Sequence, residues 1–189
     1  MGFKHRLVRI LIVFLFLPVS CSSVKGAKRI SGEAVMYGMV YNHENSPVSN
    51  AEVIVNGTIA AMTDVQGRFI LTSKQRNEFS LTLKKSGYET VEGIFCFEPM
   101  DVIHIVMVNA DQLLKLAEDA MDEGYYREVI AFCDRALALN QERIDALYLK
   151  ALGLVRLREH DMARNILEAL QDQLGEREYI RRVLEGLPQ

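Results

Sequence analysis

The chain of 189 residues has no tryptophan, three cysteines and four histidines. That leaves little material for a disulfide scaffold or a metal cage. An excess of positive charge is also missing. The 22 basic residues stand against 25 acidic ones, a net charge of −3, so the basic field that nucleic-acid binding needs is not present. Nor is there an apolar run of about 20 residues, the length a membrane-spanning helix requires. What remains is ordinary globular composition, 49% hydrophobic and 25% charged, with room for one large domain or two small ones.

The first residues carry Lys4, Arg6 and Arg9 and no acid, and the apolar run Ile10 to Leu17 follows. Pro18, Val19 and Ser20 then precede Cys21. A basic start, a short apolar stretch and a small residue before a cut site are the anatomy of a secretory signal over residues 1–20. Its removal takes away those three bases and no acid, leaving 19 basic against 25 acidic, or −6. A small residue followed by cysteine at this place resembles the lipobox of bacterial lipoproteins. In that family the leader is cut before the cysteine, whose thiol carries diacylglycerol and whose amine is acylated. The resemblance thus implies lipidation of Cys21 and anchorage in the bacterial envelope, at the outer membrane or the periplasmic face of a membrane. Pro18 stands where the family usually has leucine, with Leu17 one position further back. The alternative is an ordinary secreted protein whose Cys21 merely lies near the cut. Two or three acyl chains exceed what stable membrane residence needs, each buried methylene contributing about 0.8 kcal/mol. Residues 21–30, small, polar and basic, suit a tether.

Residues 31–109 read as β structure. Runs rich in Val, Ile, Tyr, Phe and Thr (Ala34–Tyr41, Ala51–Asn56, Arg68–Thr72, Phe79–Lys84, Thr90–Phe97 and Val102–Val108) alternate with turn chemistry. A period of two runs through Val53 and Val55, Phe69 and Leu71, Leu81 and Leu83, and Ile103, Ile105 and Met107. Pro47, Asn56-Gly57 and Asp64 to Gly67 mark turns. Taken in order, Gly38-x-Val40, Pro47-Val48-x-x-Ala51-x-Val53-x-Val55-x-Gly57, Thr63-Asp64-x-x-Gly67-x-Phe69-x-Leu71 and Gly87-Tyr88-Glu89 resemble the carboxypeptidase regulatory-like domain. The resemblance implies a seven-stranded transthyretin-like sandwich serving as a spacer or binding platform, with no peptidase domain beside it. Asp64 reads as a turn acid. His43 in a loop and His104 in a strand have no second ligand near them in sequence, so no metal is assigned, and no cofactor.

After Asn109 the apolar period becomes 3.6. Leu113 and Leu147, Ala117 and Ala151, Val129 and Ala163, Cys133 and Leu167, and Ala136 and Leu170 all recur at one constant interval of about 34 residues. Residues 110–189 therefore resemble tetratricopeptide repeats, most recognisably at Gly124 to Ile130 followed by Arg135 to Asn140. Gln141 replaces the usual proline, Arg158 the second turn glycine, and no tryptophan fills the first signature position. Ile180, Val183, Leu184 and Leu187 suit a terminal capping helix. The resemblance implies a concave groove for a protein or peptide partner. Its positions here are Asp111, Leu114, Glu118, Met121 and Asp122 in the first repeat, and Asp145, Tyr148, Leu152, Val155 and Arg156 in the second. With Leu149 and Leu157, the third helix is apolar over a wide arc. Two readings stay open at this point: the arc is a partner groove, or the cap helix or the β module covers it. An extracytoplasmic compartment permits a disulfide between Cys96 and Cys133, but both are expected to be buried free thiols.

The expected fold is thus two-domain, β then α. No nucleophile elbow, phosphate-binding loop or His-Glu-x-x-His pattern is present, so no enzyme is expected. The expected function is a membrane-anchored envelope lipoprotein that docks or scaffolds another protein through its helical groove. The alternative is a lipoprotein that captures a glycan or small ligand through the sandwich loops. The lack of tryptophan platforms speaks against it.

Overall fold

The computed structural model describes residues 33–74 and 77–188. The expected leader, Cys21 and the tether through residue 30 lie outside the described residues. Seven strands come first: β1 (Ala34–Asn42), β2 (Glu52–Val55), β3 (Thr58–Met62), β4 (Arg68–Ser73), β5 (Glu78–Lys84), β6 (Val91–Cys96) and β7 (Val102–Met107). They form a three-stranded sheet in the order β4-β1-β7 and a four-stranded sheet in the order β3-β2-β5-β6. In the first sheet β1 runs antiparallel to β4 and parallel to β7. The alternation expected from the sequence places Met36, Val40, Val53, Phe69, Leu71, Leu81, Leu83, Ile105 and Met107 in one core.

Three local features organise this half. A Cβ on Gly38 would lie 2.0 Å from the Phe69 Cζ atom, so only glycine at this position of β1 leaves room for the ring of its β4 partner. The Thr63 hydroxyl is buried; it accepts from the Ala51 amide at 2.8 Å and donates to the Val48 carbonyl at 2.7 Å. It therefore ties the chain before β2 to the chain after β3. Asp64 is the turn acid the sequence suggested. Its carboxylate accepts the amides of Gln66 and Arg68 at 2.9 and 2.8 Å and the Arg68 Nε at 2.9 Å. The Arg68 amide, chief among these donors, holds the carboxyl below its usual range.

β3 is a strand that the sequence runs omitted. Its residues are nearly all exposed, and among the described strands it pairs with β2 alone, through a register shift at Val53/Ile54. An edge strand that sends only the half-buried Ala61 against the core shows no period of two.

Five helices follow: α1 (Ala110–Glu123), α2 (Tyr126–Leu139), α3 (Ile144–Arg156), α4 (His160–Leu174) and α5 (Glu178–Glu185). Of the recurring pairs, Ala117 and Ala151, Val129 and Ala163, Cys133 and Leu167, and Ala136 and Leu170 are buried in both copies; Leu113 is buried and Leu147 half-buried. The chain turns between α1 and α2 at Gly124, with φ 81, and between α3 and α4 at Arg158, with φ 64. These two positions are again one repeat interval apart, so the arginine adopts the left-handed backbone that glycine takes in the first turn. Cys133 is fully buried, and burial pushes its thiol up to about 12. Cys96 is half-buried rather than buried, and the two form no disulfide.

The two halves join directly. Only Val108 and Asn109 separate β7 from α1. Asn109 caps α1: its side chain accepts the Gln112 amide at 2.9 Å, and the Gln112 side chain accepts the Asn109 amide at 3.3 Å. Across the junction, the Glu89 amide donates to the Val108 carbonyl at 2.8 Å. The Glu89 carboxylate receives both arms of Arg135 on α2, at 2.8 and 2.6 Å.

Candidate docking groove

The first helix of each pair, α1 and α3, carries the ten positions expected to line a groove, and their surroundings differ. Glu118, Asp122 and Arg156 are exposed on their helices. Asp111 and Asp145 are both engaged. One guanidinium, that of Arg143, reaches Asp111 at 2.6 Å through Nη1 and Asp145 at 2.6 Å through Nη2, with a further bond from Nε to Asp145 at 3.0 Å. The Arg143 guanidinium, first among several causes, holds the Asp145 carboxyl below its ordinary value. Because the two acids are themselves one repeat interval apart, the arginine staples equivalent positions of α1 and α3.

Leu114 corrects the expectation. It is buried, within the cluster of Leu113, Ala117, Val129, Cys133 and Ala146, against which Met121 and Leu149 also pack. The hairpin of α1 and α2 followed by α3 encloses a wider face of α1 than one apolar stripe needs, and Leu114 lies inside it. Leu149, which the sequence pattern set on the broad apolar arc, belongs to the same core.

Tyr148 and Val155 are half-buried beside the C-terminal cluster of Ala151, Leu167, Leu170, Ile180 and Leu187. The Tyr148 ring meets Tyr179 of α5 edge-on, with 5.0 Å between centroids. Burial, with the neighbouring Tyr179, raises the Tyr148 phenol above its usual range. The cap helix therefore covers this part of the arc, one of the two readings left open by the sequence. Leu152 is the exception: half-buried on α3, it packs in none of the three apolar clusters.

Beside these residues, an open cavity of about 540 Å³ is lined by Glu142, Arg143, Ile144, Asp145, Tyr148 and Tyr179. Sequence reasoning missed Arg143 because its partner Asp111 lies 32 positions away. The place of Asp111, one repeat interval before Asp145, was the signal that could have found it. A second cavity, of about 310 Å³, opens between β3 and β4 and is lined by Val55, Asn56, Ile70, Thr72, Phe79 and Phe97 among others. Among the described residues there is no group of three or more His, Cys, Asp or Glu that could hold a metal ion. No helix of the described residues is long and apolar enough to cross a membrane.

No protein-family model matches the chain, and no curated protein matches it. Solved structures with β-sandwich-like domains match parts of it. One is 3-chlorocatechol 1,2-dioxygenase from Rhodococcus opacus 1CP, at 11% identity and TM-score 0.33, covering 43% of this chain and 61% of that one. Another is a type II cohesin–X-dockerin complex from Acetivibrio cellulolyticus, at 19% identity and TM-score 0.34, covering 42% and 60%. A third is the major pilin subunit of Bacillus cereus, at 13% identity and TM-score 0.33, covering 41% and 29%. The chain spans less than two thirds of the length of each. At this low identity and partial coverage, nothing in the likeness firmly indicates an enzyme.

Proposed function

We propose that this protein is a non-catalytic lipoprotein of the bacterial envelope that docks another protein against its helical half. In this reading acylated Cys21 supplies the anchor, the sandwich is of the carboxypeptidase regulatory-like kind and acts as a post, and α1 to α5 are two tetratricopeptide-like repeats with a cap. The observation that carries it is the Arg143 bridge from Asp111 to Asp145. It joins equivalent positions of the recurring pattern, as expected where the first helices of successive repeats stand side by side and share one concave face. On that face the partner would meet Leu152 as an apolar anchor, the cavity before Tyr148 and Tyr179, and a rim of Glu118, Asp122 and Arg156.

The test is purification of the native lipoprotein from detergent-solubilised envelopes, followed by mass spectrometry of what accompanies it. Leu152→Asp combined with Arg156→Glu should remove the accompanying protein while leaving the helical circular-dichroism signal intact. Glu168→Lys on the exposed side of α4 should leave it in place. An accompanying protein that survives the double substitution would sink the groove, and a Cys21 bare of fatty chains in the same sample would sink the anchor.

A further inference from the structure

The three-stranded sheet has an outer face that no element of the described chain covers, and its most apolar part lies at the end where the tether enters. Pairing sets Ile70, Tyr37 and Val102 in one row across β4, β1 and β7. All three point outward, opposite to Met36, Leu71 and Ile103, and they are 55%, 39% and 45% exposed. Met100, in the turn before β7, is 72% exposed with φ 69. An apolar side chain thus stands at the tip of a turn, on left-handed backbone that such a residue seldom adopts. The turn is held to the start of β1: the Met100 amide donates to the Val35 carbonyl at 2.8 Å and the Tyr37 amide to the Asp101 carbonyl at 2.9 Å.

One outward row further from the tether, the composition changes. Arg68, Met39 and His104 are paired across the sheet there, and Arg68 is bound to Asp64. Beyond it Tyr41 and Val106 are paired, with Val106 52% exposed, so the row carrying charge separates that pair from the apolar row and turn tip at the tether end.

The geometry points to a bilayer surface as the occupant of this end: Met100, Tyr37, Val102 and Ile70 rest in the headgroup region of the membrane that holds the anchor. The inference rests on the lipidation of Cys21 proposed above. Three considerations select the bilayer. Thirteen steps of chain lead from Cys21 to Ala34, a reach of at most roughly 45 Å, and they end on the strand that carries Tyr37. A second copy seated on the sheet would need an apolar centre, whereas here Arg68 and His104 hold the centre, between the apolar row at the tether end and the pair of Tyr41 and Val106 at the other. Finally, a tyrosine and a methionine at a tip, with Lys74 and Glu33 in an ion pair at 3.9 Å alongside, make a polar-rimmed apolar end of the sort that partitions into an interface. Asp101 is exposed in the same turn, so the association would depend on apolar burial and not on lipid charge.

The full acylated chain, incorporated in phosphatidylethanolamine–phosphatidylglycerol vesicles containing a little spin-labelled lipid, provides the test. With Cys96→Ser, and Cys133 protected by its burial, a thiol-reactive environment-sensitive dye can be placed through Met100→Cys or Val102→Cys. Ile94→Cys on β6 of the other sheet is the control, at a position 77% exposed. The dye at 100 and 102 should lose on the order of half its emission to the spin label, as side chains about 5–10 Å into the headgroup boundary would, while the dye at 94 keeps its own. Equal emission at all three positions, with Cys21 shown by mass to carry its fatty chains, overturns the inference and leaves the anchor standing. Shielding at 100 and 102 that grows with protein-to-lipid ratio and ignores the spin label overturns it in favour of a second copy. A bare Cys21 removes the anchor and the inference together.

Discussion

Nine of the twelve large hydrophobic side chains that stand exposed among the described residues lie in the β half, and three in the helical half. The cause is the way each half presents its elements. A strand in a single-layer sheet has two faces. β1, the central strand of its sheet, is apolar on both, with Met36 and Val40 inward and Tyr37, Met39 and Tyr41 outward. A helix in a stacked array meets neighbours on several sides, and the last pair is closed by α5, which takes up Tyr148 through Tyr179 and joins Ala151 and Leu170 in one cluster through Ile180, with Leu187 just beyond the helix. Much of the remaining helical surface is charged and paired, as in Lys150 with Asp134 at 2.6 Å and Arg181 with Glu178 and Glu185. So the half that resembles a recognition module has closed much of its own arc, and the half that resembles a plain spacer keeps an apolar face open to its surroundings.

Three changes would break or sharpen that contrast. The largest effect is expected from Leu83→Ala, which opens the sandwich core at a fully buried position. It should cost about 2–5 kcal/mol. Because the halves have separate apolar clusters, the loss should fall on a transition followed by the NMR methyl signals of Met36 and Met107 in the sandwich while the helical signal at 222 nm melts later; a single merged transition would show that the halves fold as one unit. A smaller effect, of opposite sign, is expected from Arg158→Gly. Glycine relieves the left-handed backbone between α3 and α4, and the helical transition should rise by about 1 kcal/mol in urea unfolding. No gain would mean that the arginine side chain compensates for its backbone. The smallest effect concerns pH. Asp145 is held below its ordinary pKa by Arg143, so its contribution to stability is full above the unfolded value of about 3.9 and fades as pH falls through the lower folded value. In Arg143→Ala the Asp145 carboxyl should titrate at higher pH by NMR, and the helical half should begin to unfold in acid at a higher pH than the unaltered protein, with the sandwich unchanged.

The sequence disclosed these halves unequally. Six of the strands, the helices and the inward rows of the sandwich were visible because burial of one face writes a period into the chain, and the long repeat interval placed the helix pairs. β3 was invisible because Thr58–Met62 buries almost nothing. The row of Ile70, Tyr37 and Val102 was invisible for another reason. Each residue is an ordinary member of its own run, and only strand pairing brings the three together from places as far apart as Tyr37 and Val102. Of the groove positions, Glu118, Asp122 and Arg156 are exposed, Leu114 went inward, and Asp111 and Asp145, though exposed, are paired with Arg143. Those last outcomes depend on the crossing of three helices, which a periodicity along one helix does not contain.

The splice between β7 and α1 leaves no swivel. With two residues between strand and helix, a reciprocal cap on the first turn and a two-armed clasp from Glu89 to Arg135, the heading of the helices is inherited from the footing of the sheet. One residue inserted after Val108 would rotate the start of α1 by about 100° relative to β7 and pull the clasp apart. What this elbow fixes is aim: the orientation of the sandwich decides which way the stacked hairpins look.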